Sequence, residues 1–395
     1  VVEMKVPGID NAVIQKDLAF PIVEFQRRLK AVRQEMAERR LDLLVVSTPE
    51  NIYYLSGYHT VGYYSSQFLL VPSDGDPIHI TRGIEETNVK VLSWIDRSTS
   101  YMDHESPVEL LTATIQSMGC ANSAIGVEKI SWFLSILDYE RLKQLLHGAR
   151  FEDGSHTVES ARVVKSNLEL ECIRQAARIA DAGMEAGIGQ IRAGANENDI
   201  AAEIQRVVTR MGSEYPGLPI FVASGVRTSH AHATWSGRQI LEGDPVLLEI
   251  SGCVRRYSAA LMRLAVVKQA SRELERMEEV SRKALENMIE AIRPGRPLEE
   301  VWNVWSRTVT EGGYEGRFKR TGYSIGINFP PDWGEGYMLS FKRGETRTLR
   351  PNMTFHIPSL VKVFGFADAG TSETVLVTET GCEILTNCKR QLFVC

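Results

Sequence analysis

The chain of 395 residues is too long for one ordinary domain and suits two, and its 43% hydrophobic and 24% charged residues suffice for cores of normal size. A net charge of −5 argues against nucleic acid as the main partner, because phosphate binding needs a basic field, and no run of about 20 apolar residues is there to span a membrane. The six cysteines are scattered without a C-x-x-C pair, which reads as reduced thiols of a cytoplasmic protein, and no basic segment followed by an apolar one suggests a secretory signal.

Residues 1 to about 20 show no clear period and read as an arm. Phe25, Leu29, Val32 and Met36 recur at helical spacing and predict a helix to about Arg39. A short buried strand follows at 41–47, a turn at 49–51, a new element from 52, and further strands at 67–71 and 77–80. Strands and helices alternate to about Arg162, which gives an α/β domain over 1–162. The second domain, 163–395, opens with a helix over 168–191, for which Ser166 and Glu169 form a capping pair. Ile191-Arg-Ala-Gly194 ends it, and a second helix follows at 199–211. Ile292-Arg-Pro-Gly295 ends another helix, again followed by a second, at 298–310. The offset of 292 − 191 = 101 residues reads as an internal repeat of two α-β halves with a site between them, although Arg-x-Gly after a helix is also a common cap.

Three polar clusters lie in this second domain. In Ser229-His-Ala-His-Ala-Thr-Trp235, His230 and His232 point the same way if the chain is extended; spacing alone fits loop histidines with ordinary hydrogen bonds. Glu249 sits inside the apolar strand 246–250, and a buried Glu must be paired, protonated or functional. Glu373 precedes the apolar run Thr374-Val-Leu-Val377, and either glutamate alone could be a salt-bridged strand residue.

The order of these motifs resembles the creatinase/aminopeptidase family. The resemblance implies an α+β protein: a pita-bread C-terminal domain with a pseudo-twofold repeat, preceded by an α/β creatinase-type N-terminal domain. In the metallopeptidases of that family Asp, Asp, His, Glu and Glu hold two metal ions, and an upstream His assists. Carried over one at a time, the upstream His falls on His232, the first Asp on Glu249 and the second on Ala260. The metal His falls on Tyr323 and the last Glu on Glu373. The other Glu falls in the segment 356–358, which has no carboxylate. Since divalent metals need several anionic or imidazole ligands together, no metal and no other cofactor is expected.

Within the family the chain most resembles the metal-free ectoine hydrolases. The resemblance rests on His232-Ala-Thr-Trp235, Glu249-Ile-Ser-Gly-Cys253, Arg256-Tyr257, Gly322-Tyr-Ser-Ile-Gly326, Pro330-Pro-Asp-Trp-Gly334 and Met353-Thr-Phe-His356. It implies a metal-independent hydrolase that opens a C–N bond of a small zwitterionic cyclic amidine, ectoine or 5-hydroxyectoine, to N-acetyl-diaminobutyrate. A planar amidinium needs carboxylate partners, which Glu249 and Glu373 would supply. Glu249 would attack the amidine carbon or activate a water, His232 would carry the proton to the leaving nitrogen, and Tyr323 or His356 would hydrogen-bond the intermediate. Arg255 or Arg256 would hold the substrate carboxylate, unless both are solvated surface groups. Trp235 and Trp333 would wall the cation, unless they pack the core, with His230 and Asp332 beside them. The resemblance also implies a homodimer in which the N-terminal domain, through an aromatic loop at 58–64, borders the partner's site. The competing readings are a creatinase-like hydrolase of another amidine, guanidine or amide, a prolidase-like Xaa-Pro metallopeptidase, and a binding protein that has lost catalysis.

Overall fold

The structure is a computed structural model and describes residues 2–6, 9–316 and 320–395. It divides into two compact units, Val1–Arg162 and Val163–Cys395.

In the first unit the expected arm contains an antiparallel pair, Val2–Val6 with Ile9–Ile14, for which the Pro-Gly dipeptide at 7–8 is the sequence signal. The turn expected at 49–51 is instead the start of a helix, Pro49–Ser56, with Pro49 in its first turn, where the missing amide costs nothing. A mixed sheet runs Ser98–Tyr101, Ile78–Arg82, Phe68–Pro72, Leu43–Val46, Ala124–Val127, Arg150–Asp153 from edge to edge. Leu43, Val45, Phe68, Leu70 and Ile80 pack beneath Leu111, Ile115 and Leu142 of two covering helices.

The second unit is built on one sheet of nine strands among the described residues. Its main path runs Cys382–Ile384, Ala367–Val377, Thr354–Val363, Tyr323–Phe329, Tyr257–Val266, Pro245–Val254, Phe221–Ser224. The opening helix, Asn167–Ile188, starts with the expected capping box of Ser166 and Glu169. It lies against one half of the sheet, with Gly183 and Gly187 facing Ile250 and Leu248, while Arg272–Ala291 covers the other half.

The repeat shows itself in backbone hydrogen bonds. Gly194 (φ +83°) donates to the Ile240 carbonyl at 2.8 Å, and Ile240 donates back to Ala195 at 2.8 Å. In the other half Gly295 (φ +82°) donates to Leu349 at 2.8 Å, and Leu349 donates back to Arg296 at 2.9 Å. Each glycine supplies the left-handed backbone that turns one helix into the next and ties the turn to the same kind of strand.

Strand alternation decides which side chains serve the core. On Pro245–Val254, Val246, Leu248 and Ile250 face the helix side, so Leu247, Glu249 and Ser251 face away. On Ala367–Val377, Ala367, Ala369, Val375 and Val377 join the helix-side core, so Asp368, Gly370, Ser372 and Thr374 face away.

Candidate functional site

Glu249 stands on the helix-free face with Phe221 and Met262 as its cross-strand neighbours. It is half-buried, and loss of hydration pushes its carboxyl up to about 8. The charges of Asp368 and then Asp332 push the same way, and Lys362 opposes them. Asp368, on the same face four strands further along the sheet, is buried, and burial raises its carboxyl to about 6 against the pull of Lys362. Its Oδ2 lies 3.1 Å from Lys362 Nζ, its cross-strand partner, and its Oδ1 has no hydrogen-bond partner among the described residues. The buried Ser251 Oγ, on the face of Glu249, is likewise unpartnered among the described residues.

Tyr323 and His356 are cross-strand neighbours and begin a relay. Tyr323 Oη accepts from Trp333 Nε1 at 3.0 Å and lies 2.9 Å from His356 Nδ1; His356 Nε2 lies 2.7 Å from Ser372 Oγ. Burial and the nearby Arg263 charge push His356 down to about 3, so its ring is neutral. Two proton arrangements satisfy every member: Tyr323 donates to Nδ1 and Nε2–H to Ser372, or Ser372 donates to Nε2 and Nδ1–H to Tyr323, and the second leaves the tyrosine proton to point away from the relay. Burial and the negative charge of Glu249 hold the Tyr323 hydroxyl well above its usual range, so it is a donor and not a phenolate.

His232 (φ +56°) is exposed, with its ring centroid 6.0 Å from Phe221, which in turn meets Trp333 edge-on at 5.6 Å. Asp332 is solvent-exposed at the mouth of this face, yet enough protein surrounds it that lost hydration raises its carboxyl; Arg320 and His232 partly offset this. The loop that carries the histidines is held by Glu197, a fully buried carboxylate at the start of Glu197–Arg210. Glu197 accepts from Ser224, Arg227 and Ser236 at 2.6–3.0 Å. The Thr228 hydroxyl then accepts from the Asp368 amide at 3.3 Å, so the loop and the Asp368 strand are pinned together.

The structure therefore gathers His232, Glu249, Tyr323, Asp332, Trp333 and His356 around one face. The other expected site residues lie elsewhere. Glu373 alternates to the helix side, opposite Ile357, where it pairs with Arg263 at 2.7 Å and bonds Thr386. Ser372, one residue earlier, takes the inward position. Arg263 is itself consumed by the carbonyls of Met262, Ser372, Cys388 and Lys389, so the pair is structural. Arg255 and Arg256 form a two-residue hairpin turn, both with positive φ, roughly 20 Å along the strand from Glu249. The Glu214 carboxylate accepts both their amides at 2.9–3.0 Å. Arg256 is buried against the Tyr215 ring at 3.9 Å and donates to Tyr215 and Asn328, so it holds the turn and cannot reach a ligand at Glu249. His230 is on the rim, 6.2 Å from the exposed Phe364, and Trp235 is exposed on the same loop. Sequence reasoning missed Asp368, Lys362, Ser372 and Arg320. Asp368, a charge between Ala367 and Ala369, and Lys362, between Val361 and Val363, carried the kind of signal that marked Glu249.

Comparison with known proteins fits this architecture. Residues 171–379 match the model of metallopeptidase family M24, and residues 28–164 match the creatinase/prolidase N-terminal domain. The ectoine hydrolase of Halomonas elongata is 32% identical over 97% of this chain and 100% of that enzyme. An uncharacterized hydrolase/peptidase of Sinorhizobium fredii, y4tL, is 33% identical over 97% and 99%. Among solved structures, a prolidase from Thermococcus sibiricus superposes with a TM-score of 0.85 at 21% identity, covering 94% of this chain and 99% of that one. The dipeptidase PepE of Mycobacterium ulcerans gives 0.82 at 22%, covering 95% and 99%. At these identities the solved structures speak for the fold alone.

A metallopeptidase family implies metal, and the donors here do not fit one. Among the described residues no group of three or more His, Cys, Asp or Glu is placed to hold an ion. Tyr323 and His356 are bonded to each other, and Lys362 stands against Asp368 and neutralises a carboxylate that a metal would need.

Proposed function

Because the chain belongs to metallopeptidase family M24, with a creatinase-type N-terminal domain before a pita-bread domain, its hydrolase chemistry is taken as given, and we propose that it opens a cyclic amidine of the ectoine type without a metal. The observation that carries this reading is Glu249. Its carboxyl, pushed up to about 8 by burial and by neighbouring acids, is kept from ionising in the free site, and a bound amidinium would reverse that by supplying the missing positive charge. The ectoine hydrolase relative, similar over its whole length, supports the same substrate class.

In the proposed reaction Glu249 takes one proton from a water as the water oxygen bonds to the amidinium carbon. It returns that proton to one ring nitrogen. The C–N bond to that nitrogen breaks, the C=O forms, and the hydroxyl proton of the intermediate follows to the leaving amine, which departs as an ammonium. Tyr323, in the His356 tautomer that leaves its own proton free, donates to the oxygen that gains charge. His356 acts through Tyr323, since both its ring nitrogens are engaged. His232, beside Asp332 at the mouth, serves the proton transfer to the leaving nitrogen. Arg320, exposed with its guanidinium 4.9 Å over the Tyr323 ring, replaces Arg255 and Arg256 as the group that receives the substrate carboxylate.

A panel of ectoine, hydroxyectoine, creatine and Xaa-Pro dipeptides tests the reading. Turnover of the first two is expected; turnover of creatine or of the dipeptides alone would replace it with a creatinase-like or prolidase-like activity. The same reading takes the protein as a cytoplasmic homodimer. Light scattering should then give twice the chain mass of 44.2 kDa.

A further inference from the structure

Glu249 alone offers one carboxylate to a cation that presents two N–H groups on opposite sides of its reactive carbon. The second acid expected from the sequence, Glu373, is turned away and neutralised by Arg263. A different acid occupies the face. Asp368 shares the face of Glu249, and its charge is the largest charge influence on the Glu249 carboxyl. Its Oδ2 is held at 3.1 Å by Lys362, while its buried Oδ1 is left without a partner among the described residues. An unsatisfied carboxylate oxygen in a buried position is costly unless a ligand completes it.

We propose that Asp368 is the second substrate-binding carboxylate, its Oδ1 accepting from one amidinium N–H while Glu249 faces the other, with Lys362 as the positioning residue that holds Oδ2 and aims Oδ1. The proposal rests on the amidine reading and narrows it: the site selects a planar cation with two N–H donors over a neutral amide of the same shape. Three features of the face fit the assignment. Thr228 fixes the Asp368 backbone from the histidine loop, so the acid is tied to the element that carries His232. Gly370 is the next residue on that face, and a Cβ there would meet Met262 Sδ at 2.3 Å, so the strand lies close beside the neighbour of Glu249. Of the charged and titratable groups around the two acids, Asp332 and Lys362 act on Glu249 directly, Tyr323 stands beside it, and Arg320 and His232 lie further out, against Asp332. With Glu249 protonated in the free site, Asp368 and Lys362 cancel, and the negative charge that an arriving monocation balances is the one Glu249 gains when it ionises.

The test uses the full chain and two probes, ectoine for turnover and acetamidinium chloride for binding, with neutral acetamide as the control. Titration calorimetry in two buffers of different ionisation enthalpy reads affinity and the protons released. The intact protein is expected to bind acetamidinium, not acetamide, and to release a proton near pH 7 as Glu249 ionises. Asp368→Asn should raise KM for ectoine by about tenfold or more with a smaller change in kcat. It should also weaken acetamidinium and release fewer protons, because Glu249 no longer faces a like charge. Lys362→Met should keep cation binding but lower kcat, as a loosened Asp368 misplaces the ring. If ectoine is hydrolysed and Asp368→Asn leaves KM and proton release unchanged, the role of Asp368 is overturned and the amidine reading stands. If ectoine is not hydrolysed but acetamidinium binds in a way that depends on Asp368, the cation site stands and the substrate reading falls. Should Asp368→Asn fail to fold, equal affinity of the intact protein for acetamidinium and acetamide would overturn the proposal by itself.

Discussion

A carboxylic acid held near pH 8 tests its surroundings through both activity and stability. For activity, the ionised form of Glu249 is the one that accepts the water proton, so kcat/KM should rise with pH and level off above about 8. Glu249→Gln should abolish turnover with the fold intact, and Tyr323→Phe should lower kcat by about 10²-fold with little effect on KM, as expected for a donor used in the transition state. For stability the sign is opposite to that of an ordinary salt-bridged acid. The unfolded chain loses this proton near pH 4.3, whereas the folded one keeps it to about 8, so the contribution of Glu249 is fully present below the lower value and fades as pH rises through the higher. Glu249→Gln should therefore match the parent near pH 4 and exceed it by about 2–4 kcal/mol at pH 9. Urea unfolding at the two pH values checks this, and an equal difference at both would mean that the acid is not strained.

At the scale of the element, a single step along a strand separates a site residue from a structural one. Glu249 was legible because a charge inside Val-Leu-Leu-Glu-Ile has only a few explanations. Glu373 carries the same signal, and nothing in the sequence says which face of its strand it takes; the core positions of Val375 and Val377 decide it. Arg255 and Arg256 misled for a related reason. A two-residue turn with positive φ at both positions usually calls for Asn and Gly, and the carboxylate that makes arginines acceptable there, Glu214, lies 41 and 42 residues away in sequence. The Arg263–Glu373 pair gives a clear expectation: Arg263→Met leaves a buried acid with its main partner gone and should cost about 3–5 kcal/mol, read as a drop in unfolding midpoint. Gly252 gives another. A Cβ there would meet the Ala176 carbonyl oxygen at 2.2 Å, so Gly252→Ala must push the Asn167–Ile188 helix off the sheet and should cost about 1–3 kcal/mol. A midpoint unchanged by Gly252→Ala would mean that the helix yields freely.

For the whole molecule, the sequence carried the large-scale plan better than the fine one. The helix caps and the spacing of Gly194 and Gly295 announced two related halves, because cap and turn chemistry is local. The composition of the site was only partly visible, because Asp368 and Lys362 act on Glu249, and Ser372 on His356, from strands whose pairing no local pattern records. What emerges is a pita-bread domain whose central face carries acids, a tyrosine relay and a lysine, and where no group of three or more His, Cys, Asp or Glu is placed to hold an ion among the described residues. The direct test is to strip the purified protein with a chelator, assay its metal content, and incubate it with ectoine. Undiminished formation of an N-acetylated diaminobutyrate in metal-free protein is the predicted result. Loss of all turnover on chelation, restored by manganese, cobalt or zinc at stoichiometric occupancy, would contradict the account.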